Sequence, residues 1–461
     1  MALLALAVAA GVSSSAAAVE TSATAWARRY DGPAKSLDYA EALAVGPNGS
    51  RLFVTGMSSG TGGGLDYTTV AYEAATGSRA WVARYDGPRG ADDEAHALAP
   101  SGDGTRIFVT GRSLGSGTRD DYATVAYDAG TGAQLWANRY DGDGNNIDEA
   151  RALGVTSDGA KVFVTGRSRG PGGGYDYATV GYDGATGDQL WVSRYHGPGF
   201  HKDDALALGV SPDGTKVFVT GWSAGSNATE DYATVAYDAA TGTELWVARY
   251  DGPGHSTDEA WALAVSPDGS KVLVTGRSVG TGLDYATVAY DSATGAQLWA
   301  TRYNGPAGSY DDARALAVSA DGSRLFVTGS SGASGGGDDY ATVAYDAGTG
   351  AQLWARRYDS QGNDYDEASA LGLSADGSAV YVTGQSQGTG GFFDFDYATV
   401  AYDTETGARS WVRRYDGPGH DRDVALALGV NPAGSRVFVT GASIGPAGDQ
   451  DYTTIAYDAG S

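Results

Sequence analysis

The sequence contains no cysteine and only 2 methionines among its 461 residues. Without thiols there is no disulfide framework, no thiolate metal site and no cysteine nucleophile. Positive charge is scarce as well: 31 Lys and Arg face 56 Asp and Glu, a formal net charge of −25. That balance repels phosphate backbones and anionic membrane surfaces, which excludes generic nucleic-acid binding. Long apolar runs are missing. Met1–Val12 is too short to span a bilayer comfortably, and no later stretch could cross one as a helix. No helical period of apolar residues persists after residue 18. The 5 histidines, His96, His196, His201, His255 and His420, form no nucleophile–base–orienter pattern. There is no Gly-x-Ser-x-Gly elbow before a helix and no phosphate-cradling loop.

What the chain has in excess is glycine (71), tyrosine (29) and tryptophan (10). The excess is a repeat. Trp26, Trp81, Trp136, Trp191, Trp246, Trp299, Trp354 and Trp411 recur at spacings of 55, 55, 55, 55, 53, 55 and 57. Each Trp is followed by Arg-Tyr, an Asp-x-Ala-x-Ala-Leu segment, Val-Thr-Gly and Asp-Tyr-x-Thr-(Val/Ile)-x-Tyr. Three tyrosines in each of eight copies account for 24 of the 29. Three acidic columns multiply in the same way, so 24 of the 56 acids belong to the repeat itself.

Each unit reads as four strands. In one copy these are Ala260–Ser266, Ser270–Gly276, Asp284–Asp291 and Gln297–Tyr303, separated by Pro267-Asp268-Gly269, a Gly/Ser-rich loop and the Ser292–Gly295 turn. Four short strands in a unit of this length indicate a propeller blade. The chain opens on a lone fourth strand, residues 23–31, and ends after a third strand, within 424–458. These fragments complete one blade only if the chain closes into a ring, which also removes both free edges. The expected fold is all-β: one eight-bladed propeller over 19–461, with the N-terminal strand completing the last blade. Residues 1–18 read as a secretory signal with cleavage after Ala16-Ala17-Ala18, although no Lys or Arg precedes Arg28. This predicts an exported, secreted or envelope-associated monomer.

The repeated Trp and Tyr columns are packing residues. The column Asp38, Asp93, Asp148, Asp203, Asp258, Asp311, Asp366 and Asp423 either accepts backbone N–H groups or pairs with the repeated arginine, such as Arg249; as an eightfold carboxylate ring it could also hold a cation.

Trp-x-x-Arg-Tyr, Asp-x-Ala-x-Ala-Leu, Val-Thr-Gly-x-Ser and Asp-Tyr-Ala-Thr-Val-Ala-Tyr-Asp together resemble the bacterial β-propeller repeat of the SBBP type, over about residues 23–461. The resemblance implies an extracytoplasmic propeller, usually without a defined activity. Ala236–Trp246 is similar to the tryptophan-docking repeat of the PQQ-dependent quinoprotein dehydrogenases, which are also eight-bladed. Those enzymes typically add a vicinal disulfide, a calcium held by Glu, Asn and Asp, and a catalytic Asp. The disulfide is impossible here and no such one-off set is found, which argues against a PQQ cofactor.

Function belongs on the long-loop face, where the copies differ. Two columns vary sharply. The first reads Glu41, His96, Arg151, Leu206, Trp261, Arg314, Ser369, Leu426; the second reads Met57, Arg112, Arg167, Trp222, Arg277, Ser330, Gln385, Ala442. Trp222 and Trp261 lie outside the repeat's own tryptophan column. With Arg112, Arg151, Arg167, Arg277, Arg314 and His96 they outline a binding pocket for a protein or carbohydrate partner, aromatic platforms and guanidiniums suiting a sugar or an acidic group. The alternative is surface drift among near-identical units. Two blade-to-blade loops lack the usual Gly-Pro. In one, Asp141, Asp143, Asn145 and Glu149 place oxygen donors at positions 1, 3, 5 and 9, a pattern suited to calcium; the other runs from Asp359 to Glu367. The Phe392-Phe393-Asp394-Phe395 insertion reads as a partner-binding knob or a flap.

Overall fold

The computed structural model describes residues 24–460, apart from 116, 118, 144–145, 171–172, 200–201, 227–228, 281, 361–364 and 389–393. The signal reading, Asn145, His201 and Phe392-Phe393 therefore lie outside the described residues. The 32 described strands form eight separate four-stranded antiparallel sheets. Blade 1 consists of Asp38–Val45, Arg51–Ser59, Leu65–Glu73 and Arg79–Tyr85, paired in that order from the axis outward. Blades 2 to 7 repeat it, beginning at Asp93, Asp148, Asp203, Asp258, Asp311 and Asp366. Blade 8 takes three strands from the C-terminal end, Asp423–Val430, Arg436–Ile444 and Gln450–Asp458. Its fourth is Thr24–Tyr30, antiparallel to Gln450–Asp458 with Tyr30 opposite Tyr452. First strands of neighbouring blades touch all the way round, blade 8 against blade 1 included. The eight-bladed propeller and its closure are as the chain phase predicts.

Each core lies between two blades, because a twisted four-stranded sheet buries its faces only against its neighbours. Phe53 and Trp81 of blade 1 pack on Ile107, Val109, Val125 and Tyr127 of blade 2. The closing junction repeats this arrangement with Trp26 and Tyr452 against Leu52, Val54 and Tyr72. The tryptophans dock across the junction. Trp81 Nε1 donates to the Ala129 carbonyl of the next blade at 3.1 Å. Six others do the same, at 3.0–3.3 Å. Each of these seven indoles rests on the Thr-Gly turn of the next blade. A Cβ on Gly132 (φ +76°) would sit 2.7 Å from the Trp81 ring, so this turn needs glycine for both backbone and space.

Tyrosines supply a second cross-blade bond: Tyr67 Oη donates to Ala123 O at 3.1 Å, and Tyr452 Oη closes the ring on Thr68 O at 3.0 Å. The repeated arginine supplies a third. Arg249 donates to Ser223 Oγ (2.7 Å), Ser223 O (2.8 Å) and Asp231 Oδ2 (2.8 Å) in its own blade, and to Tyr195 Oη (3.1 Å) of the blade before. Its acid is thus the Asp of Asp-Tyr. The Asp of Asp-x-Ala instead accepts a backbone N–H six residues upstream, as Asp258 Oδ2 does from Gly252 at 2.7 Å. That bond fixes the start of the first strand, which is why the strand begins at Asp258 rather than at Ala260.

Candidate functional site

Every first strand carries a β-bulge two to four residues in. In blade 5 the pairing runs Asp258–Ser278, Glu259–Arg277, Ala260–Gly276 and then Ala262–Thr275, leaving Trp261 without a partner. The same slip isolates Glu41, His96, Arg151, Leu206, Arg314, Ser369 and Leu426. The first variable column is therefore the bulge column. A bulge leaves its extra residue out of the ladder and re-aims its side chain. The glycine of Val-Thr-Gly lies opposite. A Cβ on Gly111 would fall 1.9 Å from the Glu94 carbonyl oxygen, so only glycine lets the two strands close over the bulge.

The second variable column faces a third one that sequence reasoning passed over: Tyr39, Glu94, Glu149, Asp204, Glu259, Asp312, Glu367 and Val424. Cross-strand pairing gives the expected arginines carboxylate partners. Arg112 meets Glu94, Arg167 Nη2 lies 2.6 Å from Glu149, and Arg277 Nη2 lies 2.6 Å from Glu259. Arg151 takes the other Glu149 oxygen at 3.0 Å, and Arg314 takes Asp312 at 2.8 Å. His96 Nδ1 bonds Glu41 at 2.7 Å. These side chains form a charge lattice from blade to blade, with Arg167 reaching Asp204 at 3.6 Å and Arg277 reaching Asp312 at 3.9 Å. The signal was available in sequence as the acid following Asp in Asp-x-Ala.

Titration follows the pairing. Burial alone raises Glu149, but Arg151, Arg167 and His96 outweigh it and hold the group below the ordinary carboxylate range. Asp204 has no arginine opposite it, only Trp222. Burial pushes Asp204 up to about 6 against the pull of Arg151 and Arg167.

The axial mouth on the long-loop side holds a cavity of about 540 Å³, set off-centre against blades 5 to 8 and blade 1. Trp261, Arg314, Glu41 and Tyr39 line it with Glu367, Gln385, Arg422, Val424 and Leu426. Trp261 and Arg314 of the expected pocket are therefore at its wall, with the Arg314 guanidinium 4.5 Å from the Trp261 ring centroid. Trp261 Nε1 is buried without a hydrogen-bond partner. Trp222, Arg112, Arg151, Arg167, Arg277 and His96 are not among the lining residues. Arg422, from a blade-to-blade loop, reaches Gln385 Oε1 at 3.4 Å and was not foreseen.

The expected calcium loop divides differently. Asp141 gathers with Asp121 and Asp148, one oxygen of each within 4.8 Å of the others. Glu149 points instead into the charge lattice. In the second loop Glu367 accepts from Gln385 at 2.6 Å.

Fold and mouth define an eight-bladed propeller with tryptophan-docked blades. The chain belongs to the PQQ_2 family, described as outer membrane protein assembly factor BamB, whose model matches residues 66–221 and 203–421. No curated protein matches it. Among solved structures it is similar to BamB from Moraxella catarrhalis (16% identity, TM-score 0.53, 95% of this chain and 99% of that one). It is also similar to Chaetomium thermophilum Sqt1 bound to the N-terminus of ribosomal protein L10 (14%, 0.59, 94% and 98%). A third is the quinohemoprotein alcohol dehydrogenase ADHIIG from Pseudomonas putida HK5 (14%, 0.57, 95% and 76%). At these identities the likeness is one of fold. No helix among the described residues is long and apolar enough to cross a membrane.

Proposed function

We propose that the chain is an extracytoplasmic binding scaffold that holds a protein segment or a glycan in its axial mouth. The observation that carries this is the off-centre cavity, where the ring's symmetry is broken by an aromatic wall (Trp261, Tyr39), an apolar wall (Val424, Leu426) and polar groups between them. The lining is rich in polar and charged side chains around these walls, which suits a polar ligand such as a glycan or a peptide segment more than a purely apolar one. The BamB family match supports an envelope location, and Sqt1, bound to a protein's N-terminus, shows a propeller of this shape holding a polypeptide.

An oxidoreductase is the second reading, supported by the likeness to the quinohemoprotein alcohol dehydrogenase. The mouth offers an anionic quinone mixed partners: Arg422 would face it, but so would Glu41 and Glu367, and Arg314 is committed to Asp312. The test is a pull-down from envelope fractions beside a glycan array, each repeated with Trp261→Ala. Capture that survives Trp261→Ala unchanged refutes the site. Substrate-dependent dye reduction on adding PQQ and calcium would establish the second reading instead.

A further inference from the structure

A second constellation repeats at the blade junctions, apart from the mouth. The Asp of Asp-Tyr, the residue after Arg-Tyr and the Asp that opens the next blade converge there. At six of the eight junctions all three are carboxylates; four of these are Asp451, Asp31 and Asp38; Asp66, Asp86 and Asp93; Asp121, Asp141 and Asp148; Asp231, Asp251 and Asp258. In each of these four, one oxygen per residue lies within 4.8 Å of the others. Oxygens this close can ligate one divalent ion with small side-chain adjustments, calcium taking oxygens at about 2.3–2.6 Å.

Two further observations point to a cation. In Asp231 and Asp451, 8% and 5% exposed, Oδ2 is taken by the clasping arginine, but Oδ1 is buried and has no hydrogen-bond partner. The junction between blades 3 and 4 shows where that oxygen aims. There the exposed acid is replaced by His196, whose Nδ1 sits 2.9 Å from Asp176 Oδ1 and 3.9 Å from Asp203 Oδ2. A base thus stands where the all-acid junctions have a third acid, close to both the half-buried Asp176 and the buried Asp203. At the all-acid junctions three carboxylates face one guanidinium, with His255 adding a bond to Asp251 at 2.8 Å at the junction of blades 4 and 5.

We propose that the all-carboxylate junctions are calcium sites, repeated around the ring and staking each blade to the next, with His196 serving as a built-in cation at a junction that lacks the acid. Carboxylate oxygens alone select a hard divalent ion, and water completes the shell. The sites use Asp141 and Asp148 but neither Asp143 nor Glu149.

The test uses the full chain, stripped with EDTA and dialysed. Calorimetric titration with CaCl2, and terbium luminescence sensitised by the adjacent tyrosines, should report four or more ions per chain and a raised melting temperature. Asp251→Asn and Asp31→Asn alter exposed side chains outside the arginine clasps, and each should remove one ion. His196→Asp should add one. No saturable binding, a stoichiometry unmoved by Asp251→Asn and His196→Asp, or loss of an ion on Asp143→Asn overturns the proposal. None of these results bears on what occupies the mouth.

Discussion

Replacing Arg249 by methionine isolates what the arginine clasp contributes. The stem of the side chain is retained and the fork is removed. The fork makes four hydrogen bonds, one of them charge-assisted to Asp231 and one crossing to Tyr195 of the previous blade. The side chains of Arg249 and Asp231 are 23% and 11% exposed. Removing one partner from a buried pair costs about 3–5 kcal/mol, chiefly because the other charge is left behind. The partial exposure of Arg249 selects the lower end, about 3 kcal/mol. For 461 residues unfolding together the unfolding entropy is roughly 1 kcal/mol/K, so the melting temperature should fall by about 3 °C. The assay is urea unfolding of Arg249→Met, Asp231→Asn and the double variant. Neutralising Asp231 removes the abandoned charge, so the double variant should recover part of the loss, with a coupling of about 2 kcal/mol. A coupling below about 0.5 kcal/mol would mean that the clasp behaves as a solvent-screened surface pair, and the reasoning would fail.

Three more outcomes are expected. Gly221→Ala places a Cβ 1.9 Å from the Asp204 carbonyl oxygen; it should cost more than about 3 kcal/mol, read by denaturant unfolding, whereas Ala is tolerated wherever glycine is loop filler. Deleting residues 1–30 strips the fourth strand from blade 8 and bares the Gln450–Asp458 edge; size-exclusion chromatography should show association or aggregation, and a stable monodisperse monomer would refute the closing role. Asp204 is raised to about 6 in the folded chain, above the ordinary 3.9 of an unfolded Asp, so folding favours its protonated form. Its destabilisation is complete above pH 6 and is relieved as pH falls towards 4. Asp204→Asn should flatten the stability profile over that window by roughly 3 kcal/mol, and an unchanged slope would refute the assignment.

The fold was legible because one blade is written eight times. Trp, Tyr and the Thr-Gly turn recur in phase, and the unequal ends at Thr24 and Asp458 demand a ring. The site was half legible. The bulge column could be picked out as variable, but nothing in Asp-Glu-Ala-Trp-Ala announces that Trp261 drops out of the ladder, because a bulge is a property of two strands and shows only in the register against Gly276. The partners of the arginines were missed for the same reason: Glu259 and Arg277 are 18 residues apart in sequence and directly opposed in the sheet. Within the Asp141–Glu149 loop, successive strand residues point to opposite sides, which sends Asp148 to the junction beside Asp141 and Glu149 to the charge lattice, a divergence the linear spacing of donors does not show.

The bulge separates the two tasks of the sequence. Its residue pairs with nothing, while the glycine opposite and the small residues on either side hold the backbone. In this one chain the position accepts glutamate, histidine, arginine, leucine, tryptophan and serine in the same frame. The ring is therefore a mount whose bulge seats can change without disturbing the ladder, and five of them, Glu41, Trp261, Arg314, Ser369 and Leu426, stand around a single opening. The surface of that opening can be rewritten one seat at a time while the strands that carry it stay as they are.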